Sequence, residues 1–416
     1  MNSTATAVAR PRPKDGYALS AGASFYLLAS LTVSFLAGSS LPTPLYPLYQ
    51  SLWGLTPMTI TVVFGVYALG VLAALLFAGR LSDHLGRRPV LISAALMQLV
   101  VMAMFATAAG AASLIAARLL QGLTTGAALS AVGAAMIDLN KGRGTTANAV
   151  APPFGSALGG IIGGFFVQFL PAPTELVYAA LAAVFAAQSV GLVLMKEPIS
   201  PRPGTWQSLK PQFSLPAAAR EPLLLALPVL IAVWALAGLY ASLGPALVRA
   251  MLGSNAPLLG GLAIFVLAAT GGTAVLLLKD LEPRRMMALG ASALLVGIAI
   301  VTWAMTHNST LVFFLGTALA GVGFGPGFQG AVRSVVSVVA PHERAGTLSI
   351  VFIVSYISFG VPAIIAGSMV RRAGLMPTAQ VFSAVVMALA AAALIATALR
   401  LTSVSRARAR AAARRY

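Results

Sequence analysis

Residues 79–88 read GRLSDHLGRR and lie between two apolar runs, 57–79 and 89–109. Each run has about the 20 apolar residues that a helix needs to cross a bilayer. The short segment contains three arginines and one aspartate, and glycines stand at positions 79 and 86. The sequence therefore predicts a tight, charged loop between two membrane helices.

Apolar runs and short charged segments alternate along the whole chain of 416 residues. Hydrophobic residues make up 59% of the chain and charged residues 9%, whereas a soluble domain has about 25% charged residues. This composition excludes an ordinary water-soluble enzyme and predicts an all-α membrane protein with twelve transmembrane helices. The predicted spans are 22–46, 57–79, 89–109, 111–137, 147–170, 174–195, 222–248, 257–278, 285–306, 309–339, 345–370 and 376–399.

The basic residues predict the orientation of these spans. With the N-terminus in the cytoplasm, 22 of the 27 Lys and Arg residues fall on the cytoplasmic side and three on the other. Cytoplasmic loops carry such an excess, so we expect a multi-pass protein of the cell inner membrane with both termini cytoplasmic. A net charge of +18 would indicate nucleic-acid binding in a soluble protein. Here the charges adjoin the spans, so we expect the lipid bilayer, and no nucleic acid, as a partner.

The chain also carries an internal repeat. Asp83 and Asp280 follow corresponding spans 197 residues apart, and Gly122 and Gly321 lie 199 residues apart. Between the two copies, residues 196–221 include five prolines, which is typical of a linker. We therefore predict an N-terminal six-helix bundle (1–195), a cytoplasmic linker (196–221), a C-terminal six-helix bundle (222–400) and a basic cytoplasmic tail (401–416). Such repeats usually indicate a transporter with its site between the halves.

Three signatures make the chain resemble the major facilitator superfamily over nearly its whole length. The loop pattern G-x-x-x-D-x-x-G-R-R is matched by Gly79, Asp83, Gly86, Arg87 and Arg88. The fourth span contains R-x-x-Q-G-x-x-x-G at Arg118, Gln121, Gly122 and Gly126. The fifth span approximates an exporter signature with Gly155, Gly159, Gly160, Gly163 and Gly164, where Gly160 replaces the family's proline. The resemblance implies two pseudo-symmetric bundles, alternating access and the drug/proton antiporter-like branch.

The loop and the glycines are the predicted gating elements. Asp83 lies near a helix end, where it can pair with basic residues, while Arg87 and Arg88 can anchor the loop at the anionic leaflet. A tight turn with orienting charges is the alternative interpretation. The glycines of the fifth span leave a groove for a neighbouring backbone, which serves packing and helix sliding alike.

The predicted substrate-binding residues are polar and aromatic side chains within the spans. Arg118, Gln121 and Thr125 share one face of the fourth span. A charge at that depth faces a wet cavity or the bundle interior, so a substrate ligand and a structural hydrogen-bonding group remain alternatives. The same resemblance makes spans one, four, seven and ten line the cavity. The further candidates are Tyr46, Trp234, Tyr240, Gln329 and Arg333, with an interfacial aromatic belt as the alternative for Tyr46 and snorkelling for Arg333.

The acidic residues constrain the substrate. There are nine, and none falls at the middle of a predicted span. Many exporters of cationic drugs use a buried carboxylate, so this distribution favours a neutral or anionic substrate. Cysteine is absent, and the chain contains no nucleotide-binding P-loop, no nucleophile elbow and no metal-ligand spacing. We therefore expect a monomer without cofactor or metal, and no enzyme.

The function that follows is secondary active transport of a small organic compound, with proton-coupled efflux as the first hypothesis. Uptake or exchange of an organic anion through Arg118 is the alternative within transport. A membrane ligand sensor that transports nothing is the alternative from another class.

Overall fold

The computed structural model describes residues 19–200, 203–211, 213–252 and 256–413. Residues 1–18 of the predicted N-terminal bundle and 414–416 of the predicted tail lie outside this part of the chain. Within it, the secondary structure is helical and contains no β-strand. The predicted all-α fold with twelve membrane helices is confirmed.

We number the membrane helices in chain order. The first six form the N-terminal set: α1 (Ala21–Trp53), α2 (Pro57–Phe77), α3 (Arg87–Ala106), α4 (Ala111–Leu139), α5 (Lys141–Phe169) and α6 (Pro173–Leu194). The next six form the C-terminal set: α7 (Ala217–Met251), α8 (Pro257–Leu277), α9 (Pro283–Thr306), α10 (Thr310–Val336), α11 (Pro341–Ala373) and α12 (Leu375–Leu399). The last helix continues beyond its apolar part to Ala413.

Helix starts follow local chemistry. Thr56 caps α2 by accepting a hydrogen bond from the backbone N–H of Thr59 (3.1 Å), and Asn140 caps α5 by accepting from that of Arg143 (2.9 Å). Such side chains satisfy backbone donors that the first turn leaves unpaired. Prolines stand at the first position of several helices, where their missing N–H costs no hydrogen bond. They are Pro57, Pro173, Pro257 and Pro283.

Three predicted spans are too short at one end. The fifth was predicted to start at residue 147, whereas α5 begins at Lys141. The first was predicted to end at residue 46, but α1 passes through a 3₁₀ turn at Thr43–Leu45 and continues as the helix Tyr46–Trp53. The seventh was predicted to start at residue 222, whereas α7 begins at Ala217. Residues 217–219 are alanines, which favour helix but had no apolar run to mark them.

The buried side chains form two main hydrophobic clusters. One is built from residues of the N-terminal set between Phe25 and Met195. The other is built from residues of the C-terminal set between Ala219 and Ala393. The two sets pack against each other mainly through α2 with α11 and α5 with α8. The bundle boundaries given above stay a prediction.

The membrane has two faces that we name by the connections they carry. The linker face holds the described part of the connection between α6 and α7 (195–200, 203–211 and 213–216), and the far face lies at the opposite ends of the helices. Close contacts between the two sets run from the middle of the helices to the far face. There the hydroxyl of Thr43 donates to the carbonyl of Ala241 (2.9 Å), and the side-chain oxygen of Gln168 accepts from the N–H of Leu258 (3.2 Å).

Candidate substrate pathway and gating cluster

Arg118 is a fully buried cation inside the N-terminal set. Helix α4 places it two turns from the far face, with 0% of its surface exposed. One terminal nitrogen donates to the carbonyl of Ser39 and to Oε1 of Gln121, both at 2.7 Å. The other donates to the hydroxyl of Tyr46 (2.5 Å). The arginine therefore ties α4 to α1 through side-chain and backbone acceptors.

Aromatic rings surround the same guanidinium group. Its carbon lies 5.4 Å from the ring centre of Tyr67 and 5.7 Å from those of Tyr46 and Phe105. Rings at this distance stabilise a cation through their electron-rich faces. Its Nε is buried without a hydrogen-bond partner among the described residues. The charge is thus held by rings and neutral acceptors, and no described carboxylate pairs with it.

The other predicted polar residues of α4 also bridge helices. Gln121 is 1% exposed and donates to the carbonyl of Gly38 in α1 (2.9 Å). Thr125 is fully buried and accepts from the amide of Gln98 in α3 (3.3 Å). The shared face predicted for α4 therefore exists, but in this state all three side chains lie inside the N-terminal set.

Tyr46 and Tyr49 are buried as well. Each is at most 2% exposed, and the hydroxyl of Tyr49 lies 3.0 Å from that of Tyr178 in α6. The alternative of an interfacial aromatic belt for Tyr46 is wrong, because the continuation of α1 beyond its 3₁₀ turn directs this side chain into the N-terminal set. Its role toward a substrate stays a prediction.

Trp234 lies at the centre of a group of aromatic rings that we call the aromatic cluster. It stands at the middle of α7 and is partly exposed. Four rings surround it at centroid distances of 5.3–6.3 Å. One of them, Phe359, also contacts Phe64 of α2 at 4.7 Å, so the cluster joins the two sets. Its members are Phe64, Trp234, Phe324, Phe328, Tyr356 and Phe359.

The sequence singled out only Trp234 of this cluster. Phe324 and Phe328 lie one helical turn apart in α10, and Tyr356 and Phe359 lie one turn apart in α11. Spacings of three and four residues place side chains on one helix face and were the available signal. Such pairs are common inside any apolar helix, so the spacing alone could not separate them from ordinary core residues.

The remaining C-terminal candidates lie apart from the aromatic cluster or at its margin. Tyr240 is 3% exposed, and its hydroxyl lies 2.8 Å from that of Thr317 in α10. Arg333 donates to the carbonyl of Lys279 just after α8 (2.7 Å), which agrees with its predicted reach to the membrane surface. Gln329 is partly buried in α10.

The loop after α2 builds a charged cluster at the linker face. Arg87 is 7% exposed, and its guanidinium contacts Oδ1 of Asp83 at 2.5 Å and Oδ2 of Asp138 at 3.0 Å. It also donates to the hydroxyl of Ser82 (2.7 Å). One arginine thus joins the loop to the end of α4. We call Asp83, Arg87 and Asp138 the gate triad.

Glu197 connects the same loop to the linker. Its two carboxylate oxygens accept from the backbone N–H groups of Arg87 (2.8 Å) and Arg88 (2.9 Å) at the start of α3. An acidic side chain at a helix N-terminus is favourable because it satisfies unpaired donors and complements the helix dipole. Gly86 adopts φ +99°, and a Cβ there would lie 2.7 Å from Oε2 of Glu197. The signature glycine therefore makes room for this carboxylate.

Arg88 and Gly79 complete the predicted loop residues. The Nε of Arg88 donates to the carbonyl of Leu192 (3.1 Å), and its terminal nitrogen donates to that of Val193. These are the last carbonyls of α6, which a cation satisfies well. The carbonyl of Gly79 accepts from the hydroxyl of Ser130 in α4 (2.5 Å).

The five glycines of α5 face two different neighbours. A Cβ at Gly155, Gly159 or Gly163 would lie 2.1–2.7 Å from backbone atoms of α1. A Cβ at Gly160 or Gly164 would lie 2.9–3.0 Å from backbone atoms of α8. One stripe therefore packs within the N-terminal set, and the other lies at the contact between the two sets.

The charged loop, the arginine of α4 and the glycines of α5 belong to one known pattern. The family model of the Major Facilitator Superfamily matches residues 28–281, which is more than half of the chain. The chain belongs to the major facilitator superfamily.

Membership in the major facilitator superfamily indicates a multi-pass membrane transporter of a small molecule rather than an enzyme. Among curated proteins, the multidrug resistance protein MdtL of Escherichia coli is 40% identical over 65 residues, which are 16% of this chain and 17% of that protein. The chain thus matches less than a fifth of the length of these relatives.

Solved transporters show the same fold over most of the chain. A bacterial homologue of the human lysosomal transporter Spinster, in an inward-facing and unoccupied conformation, has a TM-score of 0.73 and 14% identity, covering 92% of this chain and 98% of its own. The nucleoside transporter NupG has a TM-score of 0.67 and 13% identity, covering 89% and 99%. The human organic anion transporter MFSD10 has a TM-score of 0.63 and 18% identity, covering 90% and 99%. At these identities the likeness shows the fold alone.

Proposed function

We propose that the protein exports a small amphipathic organic compound across the inner membrane by alternating access, in exchange for protons. In this proposal it works as a monomer of two six-helix bundles, 1–195 and 222–400, joined by a cytoplasmic linker. The linker face is then the cytoplasmic face, and both termini, including the basic tail, lie on that side. The excess of basic residues in the loops of this face supports the orientation.

The contacts between the two sets support alternating access. They join Thr43 to Ala241 and Gln168 to Leu258 near the far face, and the aromatic cluster joins the sets at mid-membrane. We infer from these contacts a state that is closed toward the far face, in which the pathway opens toward the linker face. A rocking motion that separates these contacts would open the other side.

The direction and the counter-ion rest on three observations. The 65 residues shared with a multidrug resistance protein and the glycine pattern of α5 favour an exporter. We assign proton exchange to Asp83 and Asp138, because they share Arg87 and lie at the linker face. In an exchange cycle each carboxyl would release its proton at the linker face, which restores the charge that pairs with Arg87 and favours the described state, closed toward the far face.

The gate triad is the single observation that carries the proton-coupled proposal, and reconstituted vesicles test it. A pH gradient is imposed, and a panel of neutral aromatic dyes is followed across the membrane. The expected result is gradient-driven dye movement that is lost in the double variant Asp83→Asn/Asp138→Asn. The control is Glu282→Gln, whose exposed carboxylate pairs with Arg285 at the same face (3.4 Å). Dye movement that is independent of the pH gradient would rule out proton coupling. If none of the dyes moves across the membrane, export is ruled out.

One observation favours a second candidate, the uptake or exchange of an organic anion through Arg118. Among the described residues this cation has no carboxylate partner, and its Nε has no hydrogen-bond acceptor. Its complete burial and its three bonds to neutral acceptors favour the structural role instead. Transport of a carboxylate compound that disappears in Arg118→Lys, with folding unchanged, would support the anion transporter.

A further inference from the structure

The aromatic cluster has an unsatisfied polar atom at its centre. The indole Nε1 of Trp234 is buried and has no hydrogen-bond partner among the described residues. A buried donor without an acceptor is costly, so such groups are usually paired by protein, water or ligand. The indole ring itself is only partly buried, so one side of the cluster is accessible.

The aromatic cluster lies at mid-membrane, between the N-terminal and C-terminal sets. Trp234 lies at the midpoint of α7, which runs from Ala217 to Met251. The contact of Phe359 with Phe64 places the cluster where the C-terminal set meets the N-terminal set. In transporters built from repeats, substrate sites lie near the bilayer midplane between the repeats. The cluster fulfils both conditions.

The geometry of the rings suits a flat partner. Phe324, Phe328 and Phe359 stand at 72–87° to the indole, and Tyr356 is tilted by 39°. Perpendicular rings offer both ring edges and ring faces to a bound ligand. A flat aromatic ligand is stabilised by edge-to-face contact with some of these rings and by stacking on others. An aliphatic chain would gain burial without these oriented contacts.

The charges around the cluster select against ions. The described acidic residues lie at helix ends or in the connections, so none pairs with a cation at mid-membrane. The buried cation Arg118 already has three acceptors and three aromatic rings in the N-terminal set. Removing a cation from water without a carboxylate partner costs more than the attraction that ring faces return to it. The ring faces also repel an anion, because they carry partial negative charge.

We propose that the aromatic cluster binds a flat, uncharged aromatic ring system that carries a hydrogen-bond acceptor for Nε1 of Trp234. This inference rests on the proposed export function and names the substrate class of that transport. A ring carbonyl or lactone oxygen fits the acceptor, and the surrounding rings provide the stacking surface.

Tryptophan fluorescence in detergent tests the proposal with three probes of similar two-ring size. Coumarin is neutral and has a carbonyl, naphthalene lacks an acceptor, and N-methylquinolinium carries a charge. The triple variant Trp53→Phe/Trp206→Phe/Trp303→Phe keeps Trp234 as its single tryptophan. The matched control, Trp53→Phe/Trp206→Phe/Trp234→Phe, keeps Trp303, which is 51% exposed and stacks on His307.

Coumarin is expected to quench Trp234 with a saturating curve and Trp303 without saturation. Naphthalene is expected to bind about fivefold more weakly, the equivalent of one hydrogen bond. N-methylquinolinium is expected to bind more weakly than coumarin. Equal, unsaturated quenching of both tryptophans would overturn the site. Equal affinity for coumarin and naphthalene would contradict the hydrogen bond from Nε1 of Trp234 to the ligand. Tighter binding of N-methylquinolinium than of coumarin would contradict the preference for an uncharged substrate.

A ring deletion separates binding from folding. Phe328→Leu keeps an apolar side chain but removes one ring, and it is expected to weaken coumarin binding about fivefold. Phe314→Leu, on the same helix but outside the cluster, is expected to leave binding unchanged. Equal loss in the two variants, or loss only in unfolded protein, would overturn the role of the ring.

The same variants distinguish failure of the site from failure of export. Saturable coumarin binding at Trp234, with no coumarin movement into vesicles under any gradient, would refute export and leave the site. Gradient-driven export of other dyes at an unchanged rate in Phe328→Leu, with no saturable coumarin binding in the wild type, would refute the site and leave export.

Discussion

Arg118 carries a full positive charge in the interior of the N-terminal set. Three neutral acceptors from α1 and α4 surround a full positive charge, and no described acid balances it. Arginine suits this position because its planar group donates in several directions at once and stacks on rings. A lysine keeps the charge but concentrates its donors on one atom.

Arg118→Lys is therefore expected to destabilise the protein by about 2 kcal/mol, since at least one charged hydrogen bond is lost. Thermal unfolding in detergent measures the change. Arg249→Lys, in the exposed part of α7 at the far face, is the control and is expected to leave the melting temperature unchanged. An unchanged melting temperature in Arg118→Lys together with lost transport would contradict the structural role and favour substrate binding.

Glu197 is a second residue whose role is local. Its carboxylate accepts from two backbone N–H groups at the start of α3, where a negative charge is favoured. Glu197→Gln keeps one acceptor and loses the charge, so we expect a loss of about 1 kcal/mol in the free energy of unfolding. Glu282→Gln is the matched control, because Glu282 precedes α9 without a side-chain cap. Equal effects of the two substitutions would contradict the capping role.

At the scale of helices, the contact between α5 and α8 depends on small residues from both sets. A Cβ at Gly261 would lie 2.1 Å from the carbonyl oxygen of Gly160, which no side chain can accept without a shift. In the proposed cycle this contact breaks when the far face opens, so a methyl group there acts on the conformational equilibrium. The same methyl group inside one set would act on folding.

Gly261→Ala is accordingly expected to favour opening of the far face. The chain has no cysteine, so a single Ala241→Cys reports on this region through labelling by a water-soluble maleimide. We expect faster labelling in Gly261→Ala than in the parent. Gly22→Ala is the control, since a Cβ there meets nothing within 4 Å. Slower or unchanged labelling would show that the contact does not resist opening.

Helices could be predicted from the sequence better than their mutual packing. The spans follow from apolar length, and their starts follow from residues such as Thr56 and Asn140. The end of α1 was missed, because Pro42 and its neighbours indicate a break while Pro47 falls in the first turn of the next helix, where proline is tolerated.

The candidate site was predictable only where a signature marks it. Arg87 and Asp83 lie four residues apart, so their pairing follows from helix geometry. Glu197 lies 110 residues from Arg87, and Phe359 meets Phe64 only because α2 packs on α11. Such partners depend on how the helices pack against each other, and the patterns in a single sequence do not reveal that packing.

At the scale of the whole molecule, alternating access requires the far-face contacts to break in every cycle. The hydroxyl of Thr43 and the carbonyl of Ala241 join α1 to α7 across the two sets. By contrast, the hydroxyl of Ser40 donates to the carbonyl of Ser156 (2.7 Å) between α1 and α5 of one set. A rocking motion of rigid sets separates the first pair and leaves the second together.

Cross-linking distinguishes these two pairs in a chain that has no cysteine of its own. Thr43→Cys/Ala241→Cys, joined by a short bifunctional methanethiosulfonate, is expected to lose transport and to recover it when reductant cleaves the link. Ser40→Cys/Ser156→Cys, treated in the same way, is expected to keep its transport rate. Since the first link holds the far face closed, coumarin binding from the linker face is expected to persist in it. Full transport with the first pair cross-linked would contradict the rocking motion, because the substrate would then cross without separating α1 from α7.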